Sequence, residues 1–252
     1  EGLRISGVQG ELIANVHAMQ PEEINDELDT VFLAVKSQDT KDALEILAPH
    51  IGPNSTVVSL QNGINEPIIA DMIGPEHTVG CFVNWAADYE GPGHIEYKGV
   101  GHCYVGEIDG TLSRRAVRIQ RVLNNTCTAY VTNNIYGYLW SKEVSGPILM
   151  CNALGVSGLG EMLAVPQYQP AYLALILEAM KVAESAGIKL EPFPGFDPFT
   201  LKNITPKEGY ELLDEWAEYR RIHEKSHSGP WRDIAVRHRP TEVDYLTGLV
   251  VQ

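Results

Sequence analysis

The sequence predicts an α/β domain with a parallel sheet, followed by an all-helical domain. Asp29–Val35 and Ser55–Leu60 are continuous apolar runs of strand length, as expected for parallel strands covered on both faces. Each run ends in a polar turn and continues into a segment with helical spacing of its apolar residues. Two strand–turn–helix units in succession imply right-handed crossovers and hence a parallel sheet. After Asn133 the pattern is almost wholly helical, so we place the first domain at residues 1–133 and the second at residues 134–252.

Composition and charge narrow the class of protein. With 252 residues, 44% of them hydrophobic, the chain can bury a sizeable core. Its formal net charge of −14 argues against a general affinity for nucleic acid or anionic membranes, because both require a basic surface. No apolar run reaches the length of a membrane span. We therefore expect a soluble protein that binds small molecules, with no nucleic-acid or membrane partner.

The four cysteines bear on redox compartment and metal binding. They are widely spaced, lie in apolar segments and form no C-x-x-C pair with metal-ligand spacing. Buried free thiols in a reducing cytosol account for this pattern. The expectation is a cytoplasmic protein without a metal site.

The first domain contains further strands and helices around the two apolar runs. Leu3–Ser6 and Glu11–His17 are predicted strands that flank a glycine-containing turn. Strand-like segments on both sides of Gly91–Gly93 predict antiparallel strands that complete the edge of the sheet. A helix over about residues 112–123 and a strand over 128–132 close the domain.

The second domain begins with a long apolar helix that is capped by Asn133-Asn134. Gly146-Pro147 is expected to bend or interrupt this helix, because proline removes a backbone donor and clashes with the preceding turn. The glycine should also leave an open space on the face that carries Lys142, one turn earlier. Helices over about residues 171–186 and 208–222 follow, joined by a proline-rich loop.

Polar residues stand directly after both apolar strands. Lys36 and Asn62 occupy these positions, and in an open parallel sheet ligands bind beyond the carboxyl ends of the strands. Each also has a structural explanation. Lys36 with Ser37 can form a solvated helix cap, and Asn62 with Gly63 is a common turn dipeptide whose asparagine tolerates a left-handed backbone. Their occurrence at two strand ends favours a ligand site.

Two further charged residues are candidates for chemistry. Lys142 stands among large apolar residues of the central helix, where burial disfavours the ammonium form and suits the lysine to proton transfer. The alternative is a lysine that extends to solvent with its stem on apolar neighbours. Glu242 precedes a short apolar segment, where its carboxylate has the alternative role of capping a helix start.

Segments spread over most of the chain carry a family resemblance. Several segments resemble motifs of the ketopantoate reductase family, in the same order and at similar spacing. They are Asp29–Gln38, Leu60–Gly63, Leu139–Lys142, Ser228–Asp233 and Thr241–Asp244. The resemblance implies a Rossmann-like dinucleotide-binding domain followed by a helical domain for substrate binding and dimerisation. It also implies a homodimer that reduces a 2-oxo acid with NADPH, in pantothenate synthesis for the best-known members.

The same resemblance implies roles for five residues. Lys142 is the implied general acid, which protonates the carbonyl oxygen as hydride arrives. Asn62 would hold the substrate and the nicotinamide end of the NADP cofactor. Glu242 would hydrogen-bond the reacting hydroxyl or the nicotinamide ribose. Ser228 would bind the substrate carboxylate, and Lys36 would approach the cofactor.

The sequence departs from the family pattern at the phosphate-binding loop. It contains no G-x-G-x-x-G motif, and residue 1 is expected to lie just after the second strand of the family's fold, which would leave the first domain incomplete at its start. Without that loop the pyrophosphate lacks its usual site at a helix N-terminus. One alternative is therefore a non-catalytic binding or interaction protein with the same fold. Another is a Schiff-base enzyme with Lys142 as its nucleophile.

The sequence also departs from the pattern at the substrate site. Gly146 and Met150 stand where the family offers asparagines after the lysine, and Asn152 is out of register. This favours a different 2-oxo acid as substrate. The segment between the two C-terminal motifs is about one residue longer than expected, which makes Ser226 an alternative to Ser228 in the substrate role.

Overall fold

The computed structural model describes residues 2–223 and 227–251, which form two compact units. The first unit comprises Glu1–Val35, Asp39–Gln61 and Glu66–Asn133. The second unit comprises Lys36–Gln38, Asn62–Asn65 and Asn134–Gln252. The short segments that follow the two apolar strands are therefore part of the second unit.

The first unit is built on a mixed sheet that has seven strands within the described residues. The strands are β1 (Leu3–Gly7), β2 (Leu12–Ala14), β3 (Thr30–Leu33), β4 (Thr56–Ser59), β5 (Thr78–Gly91), β6 (His94–Glu107) and β7 (Thr128–Val131). Their order is β2-β1-β6-β5-β4-β3, and β7 also pairs with β6. Neighbouring strands run parallel except in the pairs β1–β2 and β5–β6.

Both apolar runs form parallel strands, as predicted, because helices cover the sheet on both faces. The helices of this unit are α1 (Thr40–Leu47), α2 (Glu66–Ile73) and α3 (Arg114–Leu123), with 3-10 turns at Pro21–Glu23, Ser37–Asp39, Ala48–His50 and Pro75–His77. Val57 and Val58 of β4 are both fully buried, although successive strand residues point to opposite faces. Val57 packs with α1 and α2, and Val58 packs with α3.

The position of the β5–β6 hairpin differs from the prediction. The sequence places it at the edge of the sheet, whereas it lies in the middle, because β6 also pairs with β1 and β7. Both strands have 14 residues. Their pairing shifts register between Asn84 and Ala87 and again between Tyr89 and Gly91. These irregularities interrupt the alternation of polar and apolar residues, so the sequence shows several short segments where the fold has two long strands.

The four cysteines are free thiols, as predicted. Cys81, Cys103 and Cys127 are buried in the core of the first unit, and the Sγ atoms of Cys103 and Cys127 lie 2.9 Å apart. Burial raises the pKa of Cys127 to about 12. The buried thiol therefore stays in its unreactive neutral form.

The second unit is helical. Its helices are α4 (Ile135–Asn152), α5 (Leu159–Leu163), α6 (Gln169–Ser185), α7 (Pro206–His223) and α8 (Gly229–Ala235), with 3-10 helices at Pro198–Leu201, Val243–Tyr245 and Thr247–Val250. Asn134 caps α4 as predicted, since its side chain accepts a hydrogen bond from the Gly137 N–H at 3.2 Å. In the part of the chain that the structure describes, no helix is long and apolar enough to cross a membrane.

The central helix α4 lies in the core of the second unit. Val144 and Ile148 are fully buried and belong to one apolar cluster with Ile176 of α6 and Trp216 of α7. Apart from the polar residues Ser141–Glu143 and Ser145, α4 is apolar on more than one face, and a helix of this kind must be covered on those faces. Burying a Val or Ile side chain fully contributes about 1.5–3 kcal/mol, so this cluster holds α4 firmly.

The structure contradicts the expected interruption of α4 and the expected open space beside Gly146. The helix runs through Pro147 without interruption. Burial of the residues on both sides, Gly146 and Ile148, offsets the cost of about 3 kcal/mol that an internal proline carries. The open space expected beside Gly146 is also filled. A Cβ atom added there would lie 2.9 Å from Thr247 Cγ2.

Candidate active site

The candidate residues are carried by four segments of the second unit. Lys36–Gln38 follows β3 and Asn62–Asn65 follows β4. Lys142 lies on α4, and Glu242 precedes the 3-10 helix at Val243–Tyr245. Hydrogen bonds and ion pairs join these segments to one another, although they are far apart in the sequence.

Lys142 and Asn62 are in direct contact. The Lys142 ammonium donates a hydrogen bond to Asn62 Oδ1, with an Nζ–Oδ1 distance of 2.8 Å. Lys142 is half-buried and Asn62 is exposed. Lys142 is thus neither deeply buried nor simply extended into solvent, since its charged end is held by an amide. The contact brings together two residues that the sequence singled out separately.

The backbone of the Asn62–Asn65 turn is fixed from several sides. The Asn62 carbonyl oxygen accepts hydrogen bonds from Ser37 Oγ and Asn65 Nδ2, each at 2.8 Å. The left-handed residue of the turn is Gly63, with φ of +84°, rather than the asparagine. A Cβ atom on Gly63 would lie 2.6 Å from the Tyr245 carbonyl oxygen. Only glycine meets both the torsion and the close approach.

Glu242 binds the turn that follows β3. Its carboxylate forms an ion pair with Lys36, and its Oε1 accepts a hydrogen bond from the Ser37 N–H at 3.0 Å. The Glu242 side chain makes no capping hydrogen bond to the 3-10 helix that follows it. It is also buried, with an exposure of 5%. The alternative that Glu242 is a capping residue is therefore wrong.

Asp233 shares Lys36 with Glu242. Its carboxylate lies 3.1 Å from Lys36 Nζ, 2.8 Å from Arg239 and 3.5 Å from Arg237, and it is 1% exposed. Burial raises the pKa of Asp233, but the hydrogen bonds and charges of Arg239 and Lys36 outweigh burial, so the pKa lies below its ordinary value. Asp233 is therefore a carboxylate. Its role as the centre of this ion-pair network is a feature that the sequence reasoning missed.

Glu143 is a second residue that the sequence reasoning missed. It follows Lys142 on α4 and is 3% exposed. Burial raises its pKa to about 8; Lys142 and the Gly63 N–H oppose the rise, and Glu242 adds to it. The sequence contained one signal that could have identified Glu143. An acidic residue directly precedes the apolar segment of the central helix, and acidic residues are almost never buried without a partner.

Ser228 forms hydrogen bonds with residues of α4 and α8. It is the N-cap of α8, and its Oγ accepts a hydrogen bond from the Trp231 N–H at 3.2 Å. Its own N–H donates to Asn152 Oδ1 at 3.0 Å. Asn152 is fully buried and also donates to the Ser157 carbonyl oxygen, so it ties the end of α4 to α8. Ser226, the alternative to Ser228, lies outside the described residues.

Comparison with known families identifies the chain. Residues 1–110 match the family model described as ketopantoate reductase PanE/ApbA, and residues 134–252 match the model of the C-terminal part of the same family. The chain belongs to the ketopantoate reductase family. The predicted family is confirmed, and only residues 111–133 lie outside the two matches.

Curated relatives of this family member align over nearly its whole length. A 2-dehydropantoate 2-reductase of Archaeoglobus fulgidus is 28% identical over 258 residues, which span 100% of this chain and 77% of the relative. A 2-dehydropantoate 2-reductase of Streptococcus pyogenes is 25% identical over 252 residues, which span 99% of this chain and 76% of the relative.

Solved structures show the same fold. A PanE/ApbA family ketopantoate reductase from Ralstonia eutropha JMP134 has a TM-score of 0.79 at 20% identity, covering 99% of this chain and 76% of the other. D-mandelate dehydrogenase with NADH and anilino(oxo)acetate has a TM-score of 0.78 at 19% identity, covering 99% and 77%. The predicted fold class, a Rossmann-like α/β domain followed by a helical domain, is confirmed.

Packing accounts for the residues that this family member has on α4 after Lys142, where the family pattern leads us to expect asparagines. Gly146 stands one turn after Lys142, where Thr247 leaves no room for a longer side chain. Asn152, two turns further along α4, is fully used in holding α8 and the loop before α5. Among the described residues, no group of three His, Cys, Asp or Glu side chains is arranged to hold a metal ion.

Proposed function

We propose that this chain reduces a 2-oxo acid to the 2-hydroxy acid with NADPH, as a 2-dehydropantoate 2-reductase-like enzyme. Membership of the ketopantoate reductase family supports a reductase, and the curated relatives named above carry that activity in their names. The observation on which the proposal rests is the 2.8 Å hydrogen bond from the Lys142 ammonium to Asn62 Oδ1. It holds a proton donor at a fixed place beside an exposed amide.

The donor groups at this place fit a nicotinamide and an oxo acid. Asn62 is exposed, and within the described residues no group accepts a hydrogen bond from its Nδ2. That N–H₂ group can donate to a carbonyl oxygen of the substrate or to the carboxamide of the cofactor. The reduced nicotinamide, when bound, supplies the hydride. We assign Asn62 to the substrate and to the nicotinamide end of the cofactor.

Lys142 is the proposed general acid. As hydride adds to the carbonyl carbon, negative charge develops on the carbonyl oxygen, and a positioned ammonium both stabilises that charge and gives up a proton. One Lys142 N–H is directed at Asn62, and an ammonium carries three donor protons. Attraction to Lys142 lowers the pKa of Glu143 against burial.

The remaining assignments concern binding. Glu242 and Lys36 are proposed to contact the cofactor, with Glu242 also near the reacting hydroxyl; their ion pair and the Ser37 N–H keep the turn after β3 in one conformation. Ser228 Oγ accepts a hydrogen bond from the Trp231 N–H, which leaves its own proton to donate to the substrate carboxylate. We assign Ser228 to the substrate on this basis.

The proposal extends to the whole molecule. Residues 1–133 would form the dinucleotide-binding domain, and residues 134–252 would bind substrate and dimerise. A relative of known structure, from Staphylococcus aureus, is a dimeric ketopantoate reductase. We therefore propose a cytoplasmic homodimer.

The test follows oxidation of NADPH by its near-ultraviolet absorbance with ketopantoate and with other 2-oxo acids. Lys142→Ala should lower kcat by roughly a hundredfold or more, because the proton donor is lost. The matched control is Lys181→Ala, which removes an exposed lysine of α6. Near-normal turnover by Lys142→Ala would contradict the assignment.

Two further measurements test the alternative functions. Calorimetry with NADPH tests for a non-catalytic binding protein, and borohydride trapping tests for a Schiff-base enzyme. Failure of the full natural chain to bind NADPH would indicate a non-catalytic binding protein. A borohydride-trapped adduct on Lys142 would indicate Schiff-base chemistry.

A further inference from the structure

Helix α3 carries arginines that the first unit uses only in part. Four of its ten residues are arginines and none is acidic, although the whole chain has a formal net charge of −14. Arg115 is turned to Glu107, and the two form an ion pair at 2.6 Å. The other three, Arg114, Arg118 and Arg121, are exposed, and within the described residues none of them forms an ion pair. We call these three residues the basic stripe.

The basic stripe lies on one face of α3, because positions i, i+4 and i+7 of a helix are neighbours. Val117 and Val122 flank it and are 37% and 50% exposed. Arg114 stands in the first turn, where the helix dipole disfavours a cation, and that turn has no acidic residue. The basic stripe therefore does not serve the stability of α3 itself.

Helix α7 has the opposite charge on one face. Glu208, Glu211 and Glu215 are exposed and are spaced i, i+3 and i+7; we call them the acidic stripe. Glu208 accepts hydrogen bonds from Thr205, and Glu211 lies 3.7 Å from Lys207 in an exposed pair. Such a pair contributes little, so Glu211 can exchange Lys207 for an arginine, which binds a carboxylate through two N–H groups.

A groove of about 370 Å³ borders the acidic stripe. The three glutamates line it together with Ile204 and Leu212, which are partly buried against the core of the second unit. Lys202 also lines the groove, and its ammonium lies 5.2 Å from the centroid of the Phe199 ring. The groove therefore offers apolar surface beside the carboxylates, as the two valines of α3 do beside the arginines.

The two stripes match when their helices are antiparallel. At a rise of about 1.5 Å per residue, intervals of four and three residues span about 6 and 4.5 Å. The arginines follow one another at four and then three residues from Arg114, and the glutamates do so in the reverse direction from Glu215. The resulting pairs are Arg114 with Glu215, Arg118 with Glu211 and Arg121 with Glu208.

We propose that α3 of one copy of this chain docks, in antiparallel orientation, on the acidic stripe of α7 of a second copy. The chain itself supplies the complementary charge at the complementary spacing, whereas its net charge of −14 repels nucleic acid and anionic membranes. The proposal names a surface for the proposed homodimer and does not depend on the reductase reaction. Because the contact joins unlike surfaces, it occurs twice in a two-fold dimer and otherwise continues into larger assemblies.

Light scattering after size-exclusion chromatography measures the association. The wild-type protein should gain mass as its concentration rises. The gain should be lost when salt is raised from about 0.1 M to about 1 M, which shortens the screening length from about 10 Å to about 3 Å. A protein that stays a single copy at every concentration overturns the proposal, and so does an association that high salt leaves unchanged.

Charge reversal locates the contact. Arg114→Glu and Glu215→Arg should each raise the dissociation constant by roughly tenfold or more, because like charges then face each other. Arg114→Glu places an acid in the first turn of α3, where the helix dipole favours it, so weakening of the helix does not explain the loss. The matched control is Lys41→Glu, which changes the net charge equally at an exposed lysine of α1 and should have little effect.

Two double variants with the net charge of the wild type test the pairing. Arg114→Glu with Glu215→Arg restores attraction between the two positions and should return the dissociation constant to within roughly threefold of the wild-type value. Arg121→Glu with Glu215→Arg places like charges together at both ends of the antiparallel contact and should stay weak. Equal recovery in both double variants, or recovery in neither, overturns the proposed pairing.

The outcomes also separate this surface from the proposals above. A dimer that persists unchanged in Arg114→Glu and in Glu215→Arg would retain the homodimer and overturn this surface. Association that follows the charges as described supports this surface whether or not the chain reduces a 2-oxo acid.

Discussion

Asp233→Asn is the substitution whose cost can be worked out most directly. Asp233 is 1% exposed and accepts hydrogen bonds from Arg239 at 2.8 Å and from Lys36 at 3.1 Å, with Arg237 at 3.5 Å. Asparagine has the same shape but carries no charge, and one of its two polar atoms is a donor. The change therefore removes the attraction for three cations and directs an N–H₂ group at one of them.

The size of the stability loss depends on how exposed the three cationic partners of Asp233 are. A hydrogen bond to a charged group contributes about 1.5–3 kcal/mol, and removing one partner of a fully buried ion pair costs about 3–5 kcal/mol. Here the cations are 28–42% exposed and can recover hydration, which moves the cost toward the lower end. Lys36 also keeps its ion pair with Glu242. We expect a loss of about 2–3 kcal/mol in the free energy of unfolding.

Urea unfolding followed by tryptophan fluorescence measures this loss. Trp140, Trp216 and Trp231 lie in the second unit, so the signal reports on it. With a slope of about 2–3 kcal/mol per molar urea, the midpoint should fall by about 1 M. Glu211→Gln, which breaks an exposed pair with Lys207, is the control and should change stability by less than about 0.5 kcal/mol.

The direction of the Asp233 pKa shift determines how the free energy of unfolding changes with pH. The pKa of Asp233 lies below its ordinary value in the folded chain, so its contribution is present above the unfolded pKa of about 3.9 and disappears as pH falls through the lower folded value. Wild type and Asp233→Asn should therefore differ fully at about pH 5–8 and converge in strong acid. Equal stability at about pH 7 would refute the reasoning from the buried ion pair.

Three further substitutions test the packing. Gly146→Ala should destabilise by about 1–3 kcal/mol in thermal melts, because its Cβ meets Thr247 Cγ2 at 2.9 Å, and Thr247→Ser should relieve the clash; failure of this rescue contradicts the contact. Gly63→Ala should cost at least about 1–2 kcal/mol and also lower kcat/KM, because of its left-handed backbone and the nearby Tyr245 carbonyl oxygen; an unchanged melt excludes this strain. Ile176→Ala, in the core of the second unit, should cost about 2–5 kcal/mol in urea unfolding, and a loss below about 1 kcal/mol would mean that the site collapses around the cavity.

Features that arise from local pattern could be predicted, and features that arise from packing could not. The strands β3 and β4 follow from continuous apolar runs, since burial on both faces leaves no polar alternation. The filled space beside Gly146 depends on Thr247, which is far away in the sequence and unrelated to it by any period. Buried Glu143 was missed for a related reason, because its burial depends on packing around α4 and not on a local pattern.

Side chains of the helical unit contact both strand-end turns, which belong to that unit. Glu242 accepts the Ser37 N–H of the turn after β3, and Lys142 donates to the Asn62 side chain in the turn after β4. Each turn also presents one of the polar side chains at issue, Lys36 in the first and Asn62 in the second. An N–H group in a turn needs a partner when it is buried, and a carboxylate is its strongest acceptor. Glu242 therefore satisfies a backbone N–H and holds Lys36 in place, so removing its carboxylate should disturb structure and turnover together.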